Sequence, residues 1–150
     1  MITLTDQSFD PGALLTAFCQ GRTETGAVAT FTGLARAEQG DTTTLELEAY
    51  PGFTEAAIGK IAEEAKARFE LHDFHIVHRV GKIMPGEAIV FVATAAAHRR
   101  AAFEACDFLM DYLKSRAPFW KKESGPTGER WIEPRAQDHT DIARWETSKS

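Results

Sequence analysis

Several things are scarce in this 150-residue chain, and each shortage removes a class of explanation. Cysteine occurs 2 times, at Cys19 and Cys106, far apart in the sequence. That is neither a disulfide framework nor a spaced metal motif, and it suits two reduced, buried thiols in a cytoplasmic protein. No apolar run approaches the roughly 20 residues that cross a bilayer, so no membrane span is expected. The start, Met1-Ile2-Thr3-Leu4-Thr5-Asp6, lacks a basic stretch followed by an apolar block, which argues against a secretory signal. There is no Gly-rich dinucleotide or Walker-type phosphate loop and no G-x-S-x-G elbow. Positive charge is also in deficit: the net charge of −5 is the wrong sign for a general nucleic-acid binder. Internal repeats and low-complexity stretches are absent.

What remains is ordinary globular material, enough for one domain around one core. Pro11 to Gln20 reads as a short helix with Pro11 in its first turn. Gly26 to Thr32 is an apolar, β-rich strand ended by Gly33, and 35–42 is a polar loop. Thr43 to Tyr50 alternates, with Leu45, Leu47 and Ala49 on one face and Glu46 and Glu48 on the other. After a Pro51-Gly52 turn, Thr54 is placed to cap a helix running to about Phe69, with Ala57, Ile58, Ile61, Ala62 and Ala65 at helical spacing. Asp73–Ile83 and Glu87–Ala95 are strands joined at Met84-Pro85-Gly86-Glu87, a sequence suited to a type II turn. The second of these is almost wholly apolar and therefore central. A longer helix spans about His98 to Lys114, with the stripe Ala102, Cys106, Leu109, Met110 and Leu113, and ends near Pro118. Arg130–Glu133 reads as a short edge strand, and the polar tail has one helical turn near Ile142 and Trp145. The pattern is α+β: a single domain of 1–150 with an antiparallel or mixed sheet and packed helices, and 136–150 as a tail.

The run Tyr112–Lys122 carries 4 cations and no acid in an otherwise acidic chain. Uncompensated cations repel one another unless an anionic ligand or partner answers them. Phe119 and Trp120 lie between the basic groups, and an apolar wall there would lower the local dielectric and ease the loss of a lysine proton. The helix dipole accounts for Lys114 but not for Lys121, which lies beyond Pro118. His98-Arg99-Arg100 opens the long helix, where free N–H groups and two arginines suit a phosphate. The alternative for these arginines is solvation, or pairing with Glu104 or Asp107. Arg36 follows the first long strand, with Phe31 as a possible apolar wall. His72, His75 and His78 recur every three residues, but positions 75 and 78 have opposite strand parity, so a metal site is not expected.

Four runs then become recognisable: GAVATFTGLAR (26–36), LELEAYPGFTEAAI (45–58), IVHRVGKIMPGEAIVFVATAAAHR (76–99) and AFEACDFLMDYLKSRAPFWKKE (102–123). In order and spacing they resemble the large, catalytic subunits of molybdopterin synthases over about 26–135. The resemblance implies an α/β-hammerhead fold and a sulfurtransferase of molybdenum cofactor biosynthesis. A small ubiquitin-like partner would present a C-terminal thiocarboxylate. Its sulfur would pass, in two rounds, to cyclic pyranopterin monophosphate and build the dithiolene of molybdopterin. It implies no metal and no diffusible cofactor, and a homodimer within a heterotetramer. By motif, Lys114 and Lys121 match the family's active-site lysines. Leu34, Ala35, Arg36, His98, Arg99, Lys122 and Glu123 match its substrate-binding positions, with Phe31 alongside. Positions 34 and 35 are often a basic or β-branched pair in relatives; here Arg36 is the cation kept.

Two rival functions use the same residues differently. One is a non-catalytic module docking an anionic peptide tail. The other is single-stranded nucleic-acid binding with Phe119 and Trp120 as stacking platforms. One spacing bears on the site directly: 15 helical steps from Arg99 to Lys114 span about 22 Å at roughly 1.5 Å each. That is too far for both to hold one small pterin, so a site shared between two subunits is expected.

Overall fold

The computed structural model describes residues 1–37, 44–125, 128–132, 141–143 and 145–146. Its elements run β1 (Ile2–Thr5), α1 (Pro11–Cys19), β2 (Ala27–Leu34), β3 (Thr44–Ala49), α2 (Phe53–Phe69), β4 (Asp73–Arg79), β5 (Gly81–Ile83), β6 (Ala88–Ala96), α3 (Arg99–Ser115), β7 (Phe119–Gly125) and β8 (Gly128–Ile132). They build two sheets, β1-β4-β6-β2 and β5-β3-β7-β8. The first is mixed, because β1 runs parallel to β4; the pairings of the second are antiparallel. This is the α+β arrangement expected from the alternating pattern.

The apolar β6 is central, between β4 and β2, and is buried on both faces. Val90, Val92 and Ala96 pack with Ile58, Ala62, Ala65, Ala102, Cys106, Phe108 and Leu109 of α2 and α3. Phe91, Ala93 and Ala95 turn the other way, toward Phe18 of α1. The odd polar residue is Thr94, fully buried; its hydroxyl donates to Ala102 O at 2.7 Å and so ties β6 to the first turn of α3. Burial pushes the Cys106 thiol up to about 12, so it packs as a neutral group. Cys19, expected to be buried like Cys106, is instead exposed.

Local chemistry explains most boundaries. Asp10 caps α1, its Oδ1 accepting from Gly12 N at 2.9 Å and Ala13 N at 3.3 Å, with Pro11 at the first helical position. The Met84–Glu87 turn forms as expected: Glu87 N donates to Met84 O at 3.1 Å and Gly86 takes φ 92°.

Four further expectations need correction. β2 continues through Gly33 to Leu34, with a register shift between the two. The expected single strand Asp73–Ile83 breaks at Val80, because Gly81 takes φ 80° and sends β5 into the other sheet. Gly52, not Thr54, holds the N-cap of α2. Thr54, the second residue of the helix, is fully buried; its hydroxyl accepts from Tyr50 N at 2.8 Å and donates to Pro118 O at 2.9 Å. Finally, the cationic run is not one surface, because β7 begins at Phe119. Consecutive charges at 121–123 hide this strand from a hydrophobic pattern, and pairing with β3 and β8 supplies its stability instead.

β8 occupies the sheet edge expected for Arg130–Glu133, and Glu133 lies outside the described residues, as does most of the loop 35–42. Of the tail, Ile142 is buried, and Trp145 packs edge-on to Phe69 and Phe108 and donates its indole N–H to Asp111 Oδ2 at 2.5 Å.

Candidate active site

The antiparallel register of β3 and β7 decides which face each side chain of the cationic run takes. Phe119, Lys121 and Glu123 lie opposite Ala49, Leu47 and Leu45, and directly opposed residues share a face. That face is the inner one: Leu45 and Leu47 are buried with Ile83 and Ala35. Trp120 and Lys122 lie opposite Glu48 and Glu46, on the outer face. The apolar wall expected from Phe119 and Trp120 is therefore split. Phe119 accompanies Lys121, while Trp120 is 51% exposed and meets Tyr50 edge-on at 6.2 Å. The same parity separates the two rings as a paired stacking platform for nucleic acid.

Phe119 is half-buried because His78, from β4, stacks on it at 4.1 Å with planes 18° apart. The imidazole is buried, and its Nδ1 lies 2.8 Å from Arg79 O. A carbonyl only accepts, so Nδ1 carries the proton and the neutral ring keeps its lone pair on Nε2. Burial pushes the His78 pKa down to about 4; the nearby Lys114 ammonium lowers it further, against the opposing effect of the Arg79 carbonyl. Lys114, on the last turn of α3, is near enough for its charge to act on the ring that holds Phe119, and Lys121 stands two residues from Phe119 on the same strand face.

Arg36 joins this end of the molecule through Ala35. Ala35 N donates to Glu87 O at 2.8 Å, and Ala35 O accepts from Gly86 N at 2.7 Å. The Ala35 methyl is buried against Leu45, Leu47 and Ile83, so it is a packing group that orients its neighbour, and Arg36 itself is exposed. Behind it, buried Arg79 pairs with Glu87 at 3.2 Å and donates to Lys82 O at 2.9 Å. Glu87 Oε1 accepts from Met84 N at 2.7 Å, and this bond, with that from Arg79, holds its carboxyl below the usual range. Neither Arg79 nor Glu87 was singled out from the sequence. A charged residue at the end of β4 gave no sign in the sequence that it would be buried.

His98 and Arg99 lie at the other end of α3. His98 is its N-cap residue without a side-chain capping bond, and the first turn contains no acid. Arg99 and Arg100 are exposed and make no ion pair among the described residues, so the alternative pairing with Glu104 or Asp107 does not occur there. Phe31 and Leu34, 40% and 60% exposed, lie along β2, an edge strand that runs between the two ends. Arg116, the remaining cation of the run, pairs with Glu146 at 2.6 Å. Among the described residues no group of three or more His, Cys, Asp or Glu side chains could hold a metal ion.

Comparison with known proteins agrees with the residues quoted above. The model of the family described as MoaE protein matches residues 4–116. The chain is 75% identical over 146 residues to the molybdopterin synthase catalytic subunit of Caulobacter vibrioides, covering 97% of each. It is 54% identical over 144 residues to that of Mesorhizobium japonicum, covering 95% of this chain and 91% of the relative. Its fold matches the solved structure of a molybdopterin biosynthesis MoaE protein from Burkholderia ambifaria with TM-score 0.84, 46% identity and 97% of both chains covered. With two sheets arranged as described and the motif residues at both ends of α3, the chain belongs to the MoaE family.

Proposed function

We propose that this chain is the catalytic subunit of a cytoplasmic molybdopterin synthase. It transfers sulfur from the thiocarboxylated C-terminus of a small ubiquitin-like partner to cyclic pyranopterin monophosphate, building the dithiolene of molybdopterin. What supports the reading is that Lys114, at the end of α3, acts electrostatically on the buried His78 ring, while Lys121 shares the β7 face of Phe119, on which that ring stacks. A thiocarboxylate tail and a cyclic phosphate are both anions. Ammonium groups beside an apolar wall stabilise such anions, and the negative charge that develops during acyl and phosphate chemistry, more strongly than they would in water. One lysine serves as general acid–base while the phosphate ring opens. Arg36 and, by position, Glu123 border the same inner face; Lys122 points to the other face and contributes through its backbone or through the partner.

Arg99 supplies a guanidinium, His98 a ring N–H donor, and the helix start its free backbone N–H groups for a phosphate. Their distance from Lys114, about 22 Å along α3 at roughly 1.5 Å per residue, favours a site shared across a homodimer. Arg99 and Lys114 also lie within about 60° of each other around the helix, at roughly 100° per residue, so one flank of α3 carries both. A two-fold axis that crosses that flank perpendicular to α3 sets the two helices antiparallel and brings His98 and Arg99 of one copy to Lys114 and Lys121 of the other.

The test supplies a thiocarboxylated partner and cyclic pyranopterin monophosphate and measures dithiolene product. A peptide-docking module would bind the tail and form none. Mixing Lys121→Ala chains with Arg99→Ala chains should restore part of the turnover, since a hybrid dimer then holds one intact shared site. No recovery in demonstrated hybrids would place each site within one chain.

A further inference from the structure

The His78–Phe119 pair is the one parallel ring stack among the described residues; the other aromatic contacts are edge-on or tilted at 4.5 to 6.4 Å. It also joins the two sheets, because β4 belongs to one and β7 to the other. Two residues from Phe119, on the same face of β7, stands Lys121. Immediately before it, Pro118 O is held by the buried Thr54 hydroxyl at 2.9 Å. The start of β7 is therefore gripped from two sides, by α2 through a hydrogen bond and by β4 through a ring. The imidazole is itself anchored by its 2.8 Å bond to Arg79 O, whose residue is fixed in turn by Glu87 and Lys82.

We propose that His78 is a positioning residue for the lysine pair: its ring, stacked on Phe119, sets where Lys121 on β7 stands relative to Lys114 at the end of α3. The inference rests on the reading of Lys114 and Lys121 as the reacting pair. Stacking fixes the height of Phe119 above β4, and a strand moves as a unit over two residues. A displacement of about 1 Å at a reacting group is enough to lower a rate by roughly 10²-fold. An aliphatic residue at position 78 would fill space but leave Phe119 free to tilt. A charged one would add a third cation beside the two lysines; the buried, neutral imidazole adds none. His78 acts on the reaction through Phe119.

Two substitutions separate ring from hydrogen bond. His78→Phe keeps a ring on Phe119 and loses the Nδ1 donor; His78→Gln keeps a donor and loses the ring. Both are assayed in the assembled complex with thiocarboxylated partner and cyclic pyranopterin monophosphate, under single-turnover and steady-state conditions. The expected result is a turnover rate within about fivefold of the parent for His78→Phe and a loss of roughly 10- to 100-fold for His78→Gln, with KM for the pterin changed less than threefold. Phe119→Leu should lose a similar amount. The double variant His78→Gln/Phe119→Leu should be no worse than either alone, since both remove one stack.

A purely structural role would instead lower the melting temperature of both His78 variants and leave the turnover of the folded fraction unchanged. Normal turnover in His78→Gln, equal losses in the two His78 variants, or multiplicative losses in the double variant would each overturn the proposal. Should His78→Gln fail to fold, Phe119→Tyr against Phe119→Leu makes the same comparison from the other ring. Lys121→Ala, run alongside, separates the two levels. Full turnover there refutes the lysine reading, and this proposal with it. An inactive Lys121→Ala beside a normal His78→Gln refutes the positioning role alone.

Discussion

The two ends of α3 carry similar charge in opposite settings. At its start, His98, Arg99 and Arg100 stand exposed on a helix terminus with no acid in its first turn and no side-chain cap. At its end, Lys114 stands beside a buried, neutral histidine stacked on Phe119, and Lys121 rises from a neighbouring strand on the same face as that ring. Exposed arginines on a helix N-terminus suit a phosphate but are screened by water. Lysines near an apolar, half-buried surface act through a lower dielectric and stabilise a neighbouring anion more strongly. The first end suits binding that is the same in ground and transition states; the second suits interactions that grow during the reaction.

The largest expected effect lies at the second end. Lys121→Ala should lower the turnover rate by roughly 10³-fold, and Lys114→Ala by a comparable factor, with partner binding still measurable by size-exclusion chromatography. If either variant raised only KM, the contrast between the ends would collapse, because both would then be binding sites.

The buried histidine gives a second test through stability. Its pKa, lowered to about 4, lies below the ordinary 6.5. Between those values the unfolded chain takes up a proton that the folded chain does not, so acid favours unfolding. The contribution of the neutral ring is fully present above about pH 6.5 and is lost as pH falls through 4. It amounts to ~3 kcal/mol at about 1.4 kcal/mol per pKa unit. Urea unfolding at pH 7 and pH 4.5 should show this loss in the parent and a smaller one in His78→Phe. Asp73 and Glu87, whose carboxyls sit below their usual range, contribute to both proteins and cancel in the difference.

At the first end, Arg99→Ala should raise KM for the pterin about 10- to 100-fold and change the turnover rate less than threefold, the range for losing a charged hydrogen bond. Raising the salt concentration should weaken the parent more than the variant, because the exposed arginine is the screened one. A fall in turnover with KM unchanged would move Arg99 into the chemistry.

Much of this was legible in the residues themselves. The apolar run of β6 declared a central strand, and the Pro-Gly turn at 85–86 declared its type. The stripe from Ala102 to Leu113 declared the face that α3 buries. Less legible was whatever depends on pairing. β7 carries three consecutive charged residues, and only its register with β3 assigns Lys121 to the inner face and Lys122 to the outer. Thr54 reads as a cap from its place after Pro51-Gly52, yet it is buried as a link to Pro118, a partner 64 positions away. His78 was separated from His75 by parity, but nothing local announces that a ring from another sheet will lie on it. The motif resemblance named the lysines and the arginines; it carried no distances, and the separation along α3 came from helix geometry alone.

Arg116 provides the smallest effect and the control for the whole comparison. It belongs to the same cationic run as the lysines and lies two residues beyond Lys114, but its guanidinium is paired with Glu146 at 2.6 Å, both side chains about half exposed. An exposed pair of this kind contributes about 0–1 kcal/mol to stability. Arg116→Ala should therefore shift the melting temperature by no more than a few degrees and leave turnover within twofold. The result discriminates between two accounts of the lysine end. If a general surplus of positive charge attracts the anionic tail and substrate, deleting any cation in the run should cost activity in proportion, and more at low salt. If placement on the inner face beside the ring stack is what matters, the paired arginine is silent while Lys121 is indispensable. Measuring Arg116→Ala and Lys121→Ala at two salt concentrations separates the accounts, because equal losses are consistent only with the first.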